Sequence, residues 1–121
     1  MQNTESKGNS AGGLWIIQAI SGLLLILVLG LHMIAHHFVV EGGLRNYEQV
    51  IAYVSNPLIF AIELVFLTVV TIHAALGARA ILFDLALSER AKRTVNLVIT
   101  VLALAALAYG IGLAIALQGM A

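Results

Sequence analysis

Three long apolar stretches separated by short polar connectors set the pattern of this chain. The first runs from Leu14 to Phe38 and is interrupted by Gln18, Ser21, Gly22, Gly30 and a group of histidines. The second, Leu58 to Phe83, carries Glu63, Thr68, Thr71, His73 and Arg79, and the third covers Val95 to Leu117. A transmembrane helix needs about 20 predominantly apolar residues, so each stretch is long enough to cross a bilayer with some tilt. The pattern therefore predicts an all-α integral membrane protein with three transmembrane helices, at residues 14–38, 58–83 and 95–117.

The segments between them read differently. Residues 1–13 are polar and small and predict a mobile tail. Residues 39–57 form an outer connector in which the apolar spacing of Tyr47 to Val54 predicts a short interfacial helix, followed by Asn56 and Pro57, a helix-opening pair. Residues 84–94 make a basic connector and 118–121 a short outer tail. The first span is too long for a signal-peptide core, and no small-residue cleavage site follows it before the histidines, so the mature chain is expected to keep it.

Composition narrows the function. Of the 121 residues 61% are hydrophobic and 10% charged, against about 25% charged in a soluble domain. Three spans leave no room for a soluble catalytic domain, which argues for a subunit of something larger. Six basic and six acidic residues give a formal net charge of zero, so there is no basic field to hold nucleic acid. The absence of cysteine removes disulfides, thiolate metal sites and iron–sulfur clusters held by this chain alone. Arg90, Lys92 and Arg93 fall in the second connector, with Lys7 and Arg79 on the same side, whereas Arg45 is alone in the first. The positive-inside rule then places the N-terminus and second connector in the cytoplasm and the C-terminus outside.

Polar residues inside spans are where chemistry is expected, because an ionisable group at mid-bilayer costs about 2.5 to 3.5 kcal/mol on insertion scales. His73 lies deep in the second span. Gly77, one turn away on the same face, clears side-chain volume that would admit the edge of a flat macrocycle. Arg79 reaches toward the cytoplasmic interface, as a counter-ion for an anionic group or as a snorkelling anchor.

In the first span Ser21, His32 and His36 share one face. At about 1.5 Å per residue His32 lies roughly 13 Å from His73 in depth, too far for both to ligate one haem. A haem on His73 would take its second ligand from another subunit. Glu63 falls at nearly the depth of His32 and His36. That outer group reads three ways: structural pairing, ligands of a second haem, or a proton path. In the third span Ala106, Gly110 and Ala114, and in parallel Ala108, Gly112 and Ala116, form small-xxx-small rows suited to close helix packing. No repeat supports a transporter-like internal symmetry.

The string from His73 through Gly77 and Arg79 to Asp84 resembles the second transmembrane helix of succinate:quinone oxidoreductase membrane anchors, in the small C and D types. Trp15, Gln18, Ser21 and Gly22 are similar to the start of the first span in the same anchors. The resemblance covers most of the chain, the third span being generic. It implies a non-catalytic anchor that forms a helix bundle with a second membrane anchor subunit. The iron–sulfur subunit would dock on it, joined to a flavoprotein subunit that oxidises succinate or reduces fumarate, with FAD and the iron–sulfur clusters confined to those partners.

It also implies haem b between the two anchors with His73 as an axial ligand, supported by Gly77 and Arg79. A quinone, ubiquinone or menaquinone, would sit near Trp15, Gln18, Ser21 and Asp84, and the soluble partners would lie on the cytoplasmic side of a bacterial or archaeal membrane. Two departures are specific. The C type has an arginine where Ala19 stands, and the D type often has a tyrosine where Leu85 follows Asp84, so those quinone contacts fall to partner subunits. Competing expectations are a haem-free anchor or assembly protein and a small proton-conducting subunit using His32, His36 and Glu63.

Overall fold

The computed structural model describes residues 3–39, 42 and 46–120, with side chains from residue 12 onward. The expected first-connector charges Glu41 and Arg45 lie outside the described residues. The chain forms α1 (Asn3–Met33), a single π-helical turn (Ile34–Phe38), α2 (Tyr47–Val54), α3 (Pro57–Phe83) and α4 (Glu89–Gln118). Three helical segments, Gly12–Phe38, Pro57–Phe83 and Glu89–Gln118, are long and apolar enough to span a membrane.

Sequence chemistry explains most of the boundaries. Asn46 accepts from the Gln49 backbone N–H at 2.9 Å while the Gln49 side chain accepts from the Asn46 N–H at 3.0 Å. This reciprocal cap starts α2 where the interfacial helix is expected. The Asn56 carboxamide accepts from the Leu58 N–H at 2.9 Å, and Pro57 occupies the first turn of α3, where its missing N–H costs nothing. Ser88 caps α4 by accepting from the Ala91 N–H at 3.2 Å, and Glu89 in the first turn favours the positive helix end.

Two boundaries differ from the sequence reading. The segment expected as a tail over 1–13 is helical from Asn3, because a helix nucleated in the apolar span propagates at small cost per residue. The second connector shrinks from 84–94 to five residues, 84–88, since Arg90, Lys92 and Arg93 already lie in α4. Charge does not end a helix. At about 1.5 Å per residue α4 is roughly 45 Å long, the thickness of a bilayer with its headgroups. Within the short connector Ala86 adopts a left-handed conformation, φ 52°.

Packing is arranged around α3. Helices α1 and α4 each pack along α3 but not on each other, and α2 lies against α3 and α4. Gly110 of α4 receives Leu67 of α3, whose Cδ2 would lie 2.5 Å from a Cβ placed there. Gly110 of the row Ala106, Gly110 and Ala114 thus serves contact within the chain. The parallel row of Ala108, Gly112 and Ala116 is exposed, with open space around Gly112. Thr68 and Thr71 donate back to the Leu64 and Leu67 carbonyls at 2.8 and 2.7 Å, so their hydroxyls are satisfied within α3. Only Ser21, Val28 and Val54 are buried among the described residues; three helices make a surface rather than a core.

Candidate functional site

Two polar groups form where α1 meets α3, at opposite ends of the helix pair. The first is built on His73. Its Nδ1 lies 3.0 Å from Ser21 Oγ, and Ser21 Oγ also donates to the Gln18 carbonyl at 2.9 Å. A hydroxyl carries one proton. With that proton committed to Gln18, Ser21 must accept from His73, so the proton of a neutral imidazole sits on Nδ1 and Nε2 keeps its lone pair. Nε2 has no hydrogen-bond partner among the described residues. Gln18 Oε1 is the only buried side-chain N or O atom without a partner among them, so Nε2 is not enclosed and opens at the surface of the helix pair.

The glycines around this histidine exchange roles relative to expectation. The space beside Gly77, expected to admit a macrocycle edge, is taken by Gln18: a Cβ on Gly77 would stand 3.2 Å from Gln18 Nε2. Gly22 is the residue that seats the imidazole, since a Cβ there would stand 3.2 Å from His73 Cε1. Gly22 directly follows Ser21, and that adjacency is the signal by which it could have been singled out.

One to two turns away, about 5 to 10 Å along the axis, Leu14, Trp15, Gln18, Leu76, Arg79 and Ala80 line a cleft of about 210 Å³. Gln18 Oε1 is a buried acceptor without a donor. Arg79 donates through Nε to Asn96 Oδ1 of α4 at 2.8 Å, and its guanidinium lies 4.3 Å from the Phe83 ring centroid. Its Nη donors have no partner among the described residues. Asn96 was not singled out in the sequence, although it is a lone amide at the start of an apolar span. Trp15 is largely exposed along the cleft wall. Asp84 caps the end of α3 with an exposed side chain and does not line this cleft.

The second group lies some ten residues further along each helix. Glu63 accepts from His32 Nδ1, at 2.9 Å to Oε1 and 3.0 Å to Oε2, and from His36 Nε2 at 3.0 Å. The three side chains are about one-quarter to one-fifth exposed. His32 stacks on Phe66 with centroids 4.8 Å apart, and His36 meets Tyr53 of α2 edge-on at 4.6 Å. The structure thus joins His32, His36 and Glu63 and keeps them apart from His73.

Three apolar spans and two polar groups facing an incompletely covered helix pair describe a small membrane-embedded subunit rather than a self-contained protein. Residues 4–111 match the family described as succinate dehydrogenase/fumarate reductase transmembrane subunit, and the chain belongs to that family of membrane anchors. It is similar to the succinate dehydrogenase hydrophobic membrane anchor subunit of Thermoplasma acidophilum, 31% identical over 103 residues, covering 85% of this chain and 84% of that one. It is also similar to the subunit of the same name from Archaeoglobus fulgidus, 36% identical over 97 residues, with 80% and 82% covered. No solved structure matches the chain.

Proposed function

We propose that this chain is an anchor of succinate dehydrogenase that holds haem b against a second membrane anchor subunit and forms part of a quinone site. The observation that carries the haem reading is the Ser21–His73 pair: Ser21 Oγ gives its proton to Gln18 and takes the Nδ1 proton of His73. That fixes the tautomer with Nε2 free and open, the state an axial ligand requires, and a hydrogen bond at the distal nitrogen orients and strengthens such a ligand. When bound, haem b supplies a one-electron carrier. Within this chain His73 would hold it, with Ser21 orienting the imidazole and Gly22 seating it.

The neighbouring cleft supports the quinone part. A quinone carbonyl accepts hydrogen bonds and a quinol hydroxyl donates them. The Arg79 Nη groups suit the first, and the unpartnered Gln18 Oε1 suits the second. Trp15 offers an aromatic wall at interfacial depth. Arg79, Arg90, Lys92 and Arg93 cluster at this end, which makes it the cytoplasmic side by the positive-inside rule. The iron–sulfur subunit and, beyond it, the flavoprotein subunit dock there. Having no cysteine, this chain leaves cluster ligation to its partner, and FAD belongs to the flavoprotein.

The test is a dithionite-reduced minus oxidised spectrum of the intact purified complex. His73→Ala is expected to lose the haem b signal while the subunits still assemble. An assembled variant with an unchanged haem spectrum would establish a haem-free role for this histidine instead.

A further inference from the structure

The group formed by His32, His36 and Glu63 has no part in the haem or quinone reading. We propose that it is a binding site for a small divalent transition-metal ion, zinc by its ligand set, clipping the outer end of α1 to α3. Each residue offers one donor atom, and the three atoms lie within 4.8 Å of one another. Zinc takes imidazole nitrogen and carboxylate oxygen at about 2.0 to 2.2 Å, and two histidines with one glutamate is a recurrent set that leaves a fourth position open. Two ligands on a tetrahedral ion at such bond lengths stand roughly 3.3 Å apart. The nitrogen-to-oxygen separations of 2.9 and 3.0 Å would widen by a few tenths of an ångström, while the two imidazole nitrogens, within 4.8 Å, would close toward the same spacing.

Further observations point the same way. His36 lies in the π-helical turn Ile34–Phe38, closed by the Val39 N–H donating to the Ile34 carbonyl at 3.2 Å. Such single turns inside a longer helix are frequent at functional sites. The two imidazoles, 4.3 Å apart between centroids, are walled by Phe66 and Tyr53, so their rings are held before any ion arrives. Glu63 has no Lys or Arg partner among the described residues. A carboxylate in a membrane span is costly, and a divalent cation offsets it directly.

The arrangement selects the kind of ion. Magnesium and calcium take oxygen ligands almost throughout, whereas imidazole suits zinc, copper, nickel and iron. Both histidines stand on the same side of Glu63 on adjacent turns, so they cannot take opposite faces of one porphyrin.

The intact complex, stripped with a chelator in detergent and then dialysed against zinc followed by metal-free buffer, provides the test by elemental analysis. One zinc ion per copy is expected beyond the content of Glu63→Gln and His36→Asn complexes, with His37→Asn, outside the group, retaining it. The zinc X-ray absorption spectrum is expected to show nitrogen and oxygen neighbours at about 2.0 to 2.2 Å and no sulfur. The haem spectrum is expected to be the same before and after stripping, which separates this site from His73. If the variants do not assemble, the native complex alone decides: its thermal midpoint rises with zinc and not with magnesium. Zinc content equal to that of Glu63→Gln, or no zinc-specific thermal shift, overturns the proposal and leaves a purely hydrogen-bonded clasp.

Discussion

Replacing Ser21 with alanine tests the proposed haem site most directly, because it removes the group that sets the His73 tautomer and leaves the histidine itself in place. Ser21 is 6% exposed, so water does not replace its hydroxyl on the His73 side. Two bonds vanish together, one to the Gln18 carbonyl at 2.9 Å and one from His73 Nδ1 at 3.0 Å. A neutral hydrogen bond contributes about 0.5 to 1.5 kcal/mol net, and leaving its donor unsatisfied costs about 1 to 3 kcal/mol. Outer partners of metal-bound histidines typically change metal affinity about 10- to 100-fold when removed. Haem retention through this face is expected to weaken by a similar factor.

A redox signature accompanies the loss. The Nδ1–H to Ser21 bond makes the imidazole a stronger donor and so favours the more charged ferric state; without it the midpoint potential is expected to rise. If the whole bond, about 0.5 to 1.5 kcal/mol, acted on the ferric state alone, the rise would be about 20 to 65 mV, taking 59 mV per tenfold for one electron. Potentiometric titration of the haem band in intact Ser21→Ala complex measures it, with Ser21→Thr, which keeps the hydroxyl, expected to return most of the shift. A Ser21→Ala complex with native haem content and native potential would refute the tautomer argument.

Other substitutions probe separate contacts. Gly22→Ala places a methyl 3.2 Å from His73 Cε1, so the imidazole must tilt; low-temperature electron paramagnetic resonance of the oxidised complex is expected to show an altered haem signal, and an unchanged one would remove Gly22 from the seat. Gln18→Ala takes away the buried acceptor of the cleft. Loss of one hydrogen bond, about 0.5 to 1.5 kcal/mol, predicts a roughly 2- to 12-fold rise in KM for quinone, with succinate oxidation by a soluble dye acceptor unaffected. Equal loss of both activities would point to misassembly and against a quinone contact. Gly110→Ala drives a methyl to 2.5 Å from Leu67 Cδ2; overpacking of this kind costs about 1 to 3 kcal/mol. It should lower the thermal midpoint, whereas Gly112→Ala, facing open space, should lower it less.

How much of this was legible in the sequence depends on which coordinate of a helix is asked for. Depth was legible. A fixed rise of about 1.5 Å per residue set Glu63 beside His32 and His36 and separated them from His73, and hydrogen bonds of 2.9 to 3.0 Å join the first three. Azimuth was not. The spans are apolar nearly all round, so the hydrophobic pattern says little about which face meets which neighbour. The sequence therefore leaves Ser21 and His73 unpaired and points to Gly77 rather than Gly22 as the residue that makes room for a ring. Helix ends were legible where a cap is written in side chains, as at Asn56 and Pro57, and missed at Ser88, where the basic residues that follow look like a connector.

The placement of α3 between α1 and α4 bears on why such a small chain needs company. Because α1 and α4 pack on α3 and not on each other, no third helix among the described residues bridges the α1–α3 seam that holds His73. On the haem reading proposed above, His73 would present one nitrogen, and this chain would supply one side of a site that a second subunit completes. Left alone in a bilayer, Nε2 would be an acceptor among lipid tails, where an unsatisfied polar group is costly. Ligation to iron would remove that cost, and the opposite side of the cofactor would then call for a partner. On that reading, binding of the cofactor and of a second anchor would be coupled through one atom, with apolar surface left open for a partner and polar residues gathered along the seam.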